Sequence, residues 1–160
     1  MKLLVGYLYH IKEEFFDLLN DPTLMDNKQN KRPTYFVIKD ENTKILWFIP
    51  LSRKIEKYRI LRIQKIKKYK RCSTILIEKI GGNTSAILIQ NAFPTLDKYI
   101  DHIHTSNNTS IKVTNTIKDK ILKNFIFSMN QYKTFNKNIF LSNMETNINI
   151  VLKLIENDET

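Results

Sequence analysis

An α+β domain built on an antiparallel sheet is the fold class this sequence predicts, and three observations predict it. Two pairs of β-rich runs are separated by short turn segments, residues 34–39 with 45–49 and residues 73–80 with 85–90. Helical periodicity appears between and after those pairs rather than alternating strand by strand with them. Only 3 Gly and 4 Pro occur in 160 residues, with 42% hydrophobic and 26% charged content, so the chain reads as one globular domain over 1–160.

Taken in order, residues 3–9 are a short apolar run rich in β-formers, expected as the first strand. Ile11, Phe15, Leu18 and Leu19 then repeat at helical spacing, with Glu13 and Glu14 placed to suit the positive end of a helix, and Asn20, Asp21 and Pro22 end it. Residues 25–32 are polar and loop-like. The first hairpin turns at Asp40-Glu41-Asn42-Thr43, and Pro50, which cannot donate to a ladder, is expected to stop its second strand. Residues 52–71 contain no Gly or Pro and place Ile55, Tyr58, Ile66 and Tyr69 near one helical face, predicting a helix; the alternation within 59–70 also suits a strand. A Gly81-Gly82-Asn83 turn marks the second hairpin. Pro94-Thr95 is expected to open a short helix through Ile103, and residues 111–113 a minimal strand. Ile117, Ile121, Leu122, Phe125 and Met129 line the inner face of an amphipathic helix, and Ser142 with Glu145 has the capping-box spacing that opens a last helix.

Charge is concentrated in one place. Between Arg53 and Arg71 lie ten Lys and Arg against the single acid Glu56, a balance of +9 within a chain of formal charge +10. A field so localised suits a polyanion, because each cation set against a phosphate releases condensed counterions. RNA, DNA and an anionic membrane surface all qualify on a sequence pI near 9.6, though the helix's apolar face is too thin for the last. No apolar run approaches the length of a bilayer span or has the form of a signal peptide, which points to the cytoplasm and no membrane partner.

Familiar catalytic signatures are absent. There is no Gly-rich phosphate loop, no zinc spacing and no carboxylate cluster of the kind two-metal nucleases need. Cys72 is the only cysteine, so no intrachain disulfide forms. It reads as a small core residue at a strand start, its cationic neighbourhood offering the alternative of a reactive thiol. His102 and His104 form a pair without a third metal ligand, and His10 reads as an isolated residue packed at a strand end. No metal or other cofactor is expected. If the protein cuts a nucleic acid, these residues favour a metal-free route, for which RNA supplies its own 2′-OH nucleophile. The protein then needs a base, donors for the phosphorane and an acid for the leaving oxygen. Ser52, Arg53, Lys54 and Lys57 stand just after Pro50, where crowding by like charge would ease deprotonation of a lysine. Ser52 reads equally as the N-cap of the basic helix.

Three segments, residues 30–38, 47–54 and 86–94, together resemble the endoribonuclease toxins of type III toxin–antitoxin systems, the ToxN/AbiQ/CptN superfamily. The long basic segment and its junction with the strand after it look closest to the CptN branch. The resemblance implies a compact twisted antiparallel sheet with surrounding helices, similar to Kid/MazF-type toxins. It implies metal-independent cleavage to a 2′,3′-cyclic phosphate, with cellular or phage mRNA as substrate. The implied partner is an RNA antitoxin of tandem pseudoknot repeats, which the toxin processes and which closes with it into a ring-like assembly. The implied role is phage defence or locus maintenance.

Carried over by position, Ser52 is the phosphate-binding hydroxyl, and Arg53 replaces a second hydroxyl found in some members. Lys54 or Lys57 is the base or phosphorane stabiliser, and Arg32 the cation beside the first hairpin's proline. Thr34 stands where other members place a lysine. Tyr35 stacks on a base, donates its hydroxyl, or is an ordinary strand tyrosine. The remaining cations, Lys31, Arg53, Arg59, Arg62, Lys65, Lys67, Lys68, Lys70 and Arg71, would track the RNA backbone. Tyr58 and Tyr69 among them either pack inward or stack on bases. Charge alone equally supports a second class, a non-catalytic basic protein that binds RNA or DNA.

Overall fold

The structure, a computed structural model, describes residues 2–24 and 32–158. Its strands are β1 (Leu8–Ile11), β2 (Thr34–Lys39), β3 (Leu46–Ser52), β4 (Ile75–Ile80), β5 (Asn83–Leu88), β6 (Phe93–Thr95) and β7 (Ile100–Ile103), with a small hairpin of β8 (Thr105–Ser106) and β9 (Thr109–Ser110). Its helices are α1 (Glu13–Leu19), α2 (Ile55–Tyr69), α3 (Asn115–Phe135) and α4 (Met144–Asp158). The first seven strands form one antiparallel sheet in the order β4-β5-β3-β2-β1-β7, with β6 also paired to β3. The α+β class and antiparallel sheet are as the sequence predicts.

Strand β3 organises the sheet. One edge pairs along its length with β2, from Thr34 opposite Pro50 to Lys39 opposite Leu46. The other edge changes partner, Leu46–Phe48 pairing with β6 and Leu51–Ser52 with β5. Pro50 therefore does not stop the strand, contrary to the sequence expectation. Leu51 turns its carbonyl toward Arg32 on the β2 side, so by alternation Pro50 turns its backbone to the other edge. There it faces the interval between β6 and β5, where no donor is required.

Both faces of the sheet are covered. On one, Phe36, Phe48 and Phe93 stack at centroid separations of 5.2 and 6.2 Å, with Tyr9 edge-on to Phe48 and Phe15 and Phe16 of α1 closing the cluster. On the other, Trp47 meets Phe125 of α3 at 5.8 Å. Helix α2 lies against β4 and β5, and α4 against β6. Cys72 is buried just ahead of β4, its sulfur 3.8 Å from Thr74 Oγ1 and the Ile75 carbonyl, as a strand-start core residue should be. No helix among the described residues is long and apolar enough to cross a membrane.

The structure corrects three further expectations. The first strand begins at Leu8, because Gly6 takes φ +93° and turns the chain before it. No helix follows Pro94. Residues 93–95 pair with β3, a single 3-10 turn covers Asp97–Tyr99, and Ile100–Ile103 pair with β1. Residues 111–113 make only one bridge, Lys112 with Tyr7, while the hairpin lies earlier and turns on Asn107 and Asn108, both at positive φ. The second main hairpin turns as predicted, with Gly81 and Gly82 at φ +62° and +83° between paired Ile80 and Asn83.

Helix α4 also begins differently from its capping-box pattern. The Ser142 hydroxyl donates to the Ala92 carbonyl at 2.8 Å. The helix start is instead held by buried Asp21, whose Oδ2 accepts from the Asn143 backbone N–H and from Asn147 Nδ2, at 2.8 and 2.9 Å. Its Oδ1 accepts from the Thr23 N–H and hydroxyl. Burial alone would raise the Asp21 pKa, but these bonds to the carboxylate outweigh it and hold the group below the ordinary value. Asp21→Ala should cost about 2–3 kcal/mol in urea unfolding at pH 7. Because the folded pKa is depressed, that contribution is complete above the free-carboxyl value of about 3.9. It is lost as pH falls through the lower folded value, so the gap between wild type and variant should close there.

Candidate active site

Where β3 gives way to α2, the chain opens a cleft of about 580 Å³ at the end of the sheet. Ser52, Arg53, Lys54 and Lys57 line one wall, and Arg32, Pro33 and Thr34 another. Leu8, Phe16, Leu88 and Phe93 supply apolar surface. Four cations and no carboxylate face this space among the described residues, so it favours an anion.

Local geometry places each group. Ser52 ends β3, and its Oγ accepts the Lys54 N–H at 3.2 Å. Helix α2 begins at Ile55 with Lys54 in the N-cap position and no side-chain cap, so Ser52 is not the helix cap. Arg32 donates Nε to the Leu51 carbonyl at 2.9 Å, which binds the segment before β2 to the end of β3. Thr34 faces the cleft but donates its hydroxyl to the Tyr9 carbonyl at 3.0 Å. Ser52, Lys54, Lys57 and Arg32 thus line one cleft from two stretches of chain.

Tyr35 does not join them. It pairs with Ile49, one residue out of phase with Pro50 and Ser52, and so points to the opposite face of the sheet. There it is buried with its hydroxyl unpaired, and burial, then the nearby Asp119, push the phenol's pKa up. It is not among the residues that line the cleft.

The basic helix divides into two sets. Arg62 donates to the Ile75 carbonyl at 3.2 Å, and Lys65 Nζ reaches Thr74 Oγ1 at 2.9 Å and Gln90 Oε1 at 3.0 Å. These two cations fasten the helix to the sheet. Arg59 pairs with Glu56, and Arg71 stacks on Phe127 at 3.5 Å. Lys67, Lys68 and Lys70 face solvent beyond them, while Lys31 lies outside the described residues. Tyr58 is half-buried at the cleft, whereas Tyr69 is 62% exposed rather than packed.

The sequence reads His102 and His104 as a pair and His10 as isolated, but the structure brings all three together. His10 of β1 is buried, its Nε2 2.8 Å from His104 Nδ1, and its ring stacks on His102 at 4.4 Å and 13°. His104 lines the cleft. Burial first, then His102 and Arg53, lower its pKa below the ordinary value. The spacing of His102 and His104 is visible in the sequence, but their approach to His10 depends on the pairing of β1 with β7. The helix expected there hid that pairing. Among the described residues no group of three or more His, Cys, Asp or Glu is arranged to hold a metal ion.

The different duties of the helix cations are separable by unfolding. Lys65→Ala should lower stability by about 1–3 kcal/mol, since it strands two buried acceptors. Lys67→Ala should change it by less than about 0.5 kcal/mol. Thermal and urea melts of the two variants check this.

No protein-family profile matches the chain, and no curated protein matches it. Among solved structures, it superposes on AbiQ, a lactococcal anti-phage endoribonuclease of the type III toxin–antitoxin system, with a TM-score of 0.70. The match covers 96% of this chain and 98% of AbiQ at 14% sequence identity, so the fold is shared end to end.

Proposed function

We propose that this chain is an endoribonuclease toxin of a type III toxin–antitoxin system, cutting RNA through the RNA's own 2′-OH without a metal. One observation carries the reading. A chain with the fold of AbiQ brings Ser52, Lys54, Lys57 and Arg32 into one cationic cleft that no carboxylate lines among the described residues. In-line attack forms the O2′–P bond and breaks P–O5′, leaving a 2′,3′-cyclic phosphate and a 5′-hydroxyl. The phosphorane gains charge on its non-bridging oxygens. The Ser52 hydroxyl and the ammonium groups of Lys54 and Lys57 serve as donors to them, and Arg32 adds its charge from the opposite wall. Arg53, Lys67, Lys68 and Lys70 guide the RNA strand toward the cleft. The partner implied by the same reading is a cytoplasmic RNA antitoxin of pseudoknot repeats. Its phosphates would occupy these cations and close with the protein into a ring, and cellular or phage mRNA would be the target.

The test uses protein freed of RNA, mixed with a long unstructured RNA in excess EDTA, with product ends mapped. Discrete cuts ending in 2′,3′-cyclic phosphate are expected, slowed about 10²–10³-fold by Ser52→Ala and strongly by Lys54→Ala/Lys57→Ala. Intact RNA that the protein nonetheless retains would leave a non-catalytic RNA-binding protein. Separately, Lys67→Ala/Lys68→Ala/Lys70→Ala should reduce the slope of log affinity against log salt by about 2, at roughly 0.7 per single-strand phosphate contact. Its melting temperature should stay at the wild-type value.

A further inference from the structure

The cations of the cleft are donors, and transesterification also needs an acceptor for the 2′-OH proton. We propose that His104 is that general base, taking the proton on Nε2 while His10 holds its Nδ1. The inference rests on the endoribonuclease reading and adds to it the group that moves the proton.

Position comes first. The His104 backbone N–H donates to the Leu8 carbonyl at 2.8 Å, which fixes the residue against β1. Its Nδ1 is occupied by His10 Nε2 at 2.8 Å, and Nε2 makes no hydrogen bond among the described residues. The side chain lines the same space as Ser52 and Arg32. With Nδ1–H donating to His10, Nε2 carries the lone pair that a base requires. When Nε2 is protonated, His10 still accepts from Nδ1–H and shares the imidazolium charge. His10 is itself immobilised by burial and by its stack on His102, whose Nδ1 lies 2.8 Å from Asp101 Oδ2.

Protonation state agrees with position. The groups facing His104 are His10 from β1, His102 from β7 two residues before it, and Arg53 from the turn after β3, with Arg32, Lys54 and Lys57 around the cleft. Burial first, then His102 and Arg53, hold its pKa below the ordinary histidine value, so it stands neutral at pH 7. The bookkeeping of the step then closes. The 2′ O–H bond breaks to Nε2, its electron pair forms O2′–P, and the P–O5′ pair departs with the 5′-oxygen, which takes a proton from water.

Single-turnover cleavage in EDTA, followed from pH 5 to 9, tests this. Wild type should lose rate as pH falls through a value below the ordinary histidine pKa of about 6.5. His104→Ala should be slower by about 10²–10⁴-fold, lose that acidic limb, and recover rate on addition of imidazole. RNA retention and an intact melting transition show that the variant is folded. His10→Phe, removing a positioning residue, should shift the limb, and His10→Gln, which can still accept from Nδ1, should return it. An RNA with a 5′-bridging sulfur, whose thiolate departs without a proton, should still show the His104→Ala defect. A defect that vanishes with that substrate would make His104 the acid and overturn the assignment. Cleavage by His104→Ala within threefold of wild type, with the same acidic limb, would overturn it while leaving the endoribonuclease reading in place. Absence of cleavage by wild type would remove both.

Discussion

The change of partner along one edge of β3 is the constraint on which the rest of the structure depends. A strand that pairs with β6 at its start and β5 at its end must leave an interval between them, and Pro50 occupies it. Beyond that interval only Leu51 and Ser52 remain in the sheet before the chain turns into α2. The cleft opens where the strand ends at Ser52 and the chain leaves the sheet. The Arg32 bond to the Leu51 carbonyl closes the opposite edge at the same level. Proline, serine and arginine thus act as one arrangement: the first lacks a donor where none is wanted, the second faces the space that results, and the third secures its rim.

Helix α2 then has two incompatible tasks, to stay on the sheet and to carry charge. None of its residues is fully buried, and Ile60 and Ile63 are 54% and 47% exposed, so apolar burial alone holds it weakly. Arg62 and Lys65 compensate by reaching inward to backbone and side-chain acceptors of the sheet layer. A lysine spent on Thr74 and Gln90 is not available to a phosphate. The field offered to a polyanion is therefore set by the helix start at the cleft and by its far end.

What was legible in the sequence follows from which interactions are local. The hairpin turned by Gly81 and Gly82, the helical period of α3 and the concentration of charge are properties of contiguous residues, and each could be read directly. The grouping of Ser52, Lys54 and Lys57 was legible for the same reason, as a run behind a strand. Tyr35 was misplaced although the alternation was readable: once Thr34 lies opposite Pro50, period two sends Tyr35 to the far face. Pro50 and Pro94 misled because a proline's effect depends on which edge it turns toward, a property of partners far along the chain. The cap of α4 was likewise illegible, since its acceptor, Asp21, lies more than a hundred residues away.

The histidines illustrate the same limit at the site itself. His10, His102 and His104 are assembled by the pairing of β1 with β7, and residues 94–103 carry no local pattern strong enough to announce that strand. Their assembly joins two kinds of electrostatics that the sequence presents as separate. The charge that draws a phosphate into the cleft also disfavours a proton on His104, because Arg53 acts on both. A bound phosphodiester offsets part of that positive field, so the imidazole becomes more basic as substrate arrives. Burial, with His102 and Arg53, keeps the base unprotonated before substrate arrives; once it is bound, the substrate's own charge raises the base's hold on the proton it is about to receive. A basic surface that serves only to bind gains nothing from a neutral imidazole at its centre, whereas one that breaks the phosphodiester needs both the field and the lone pair.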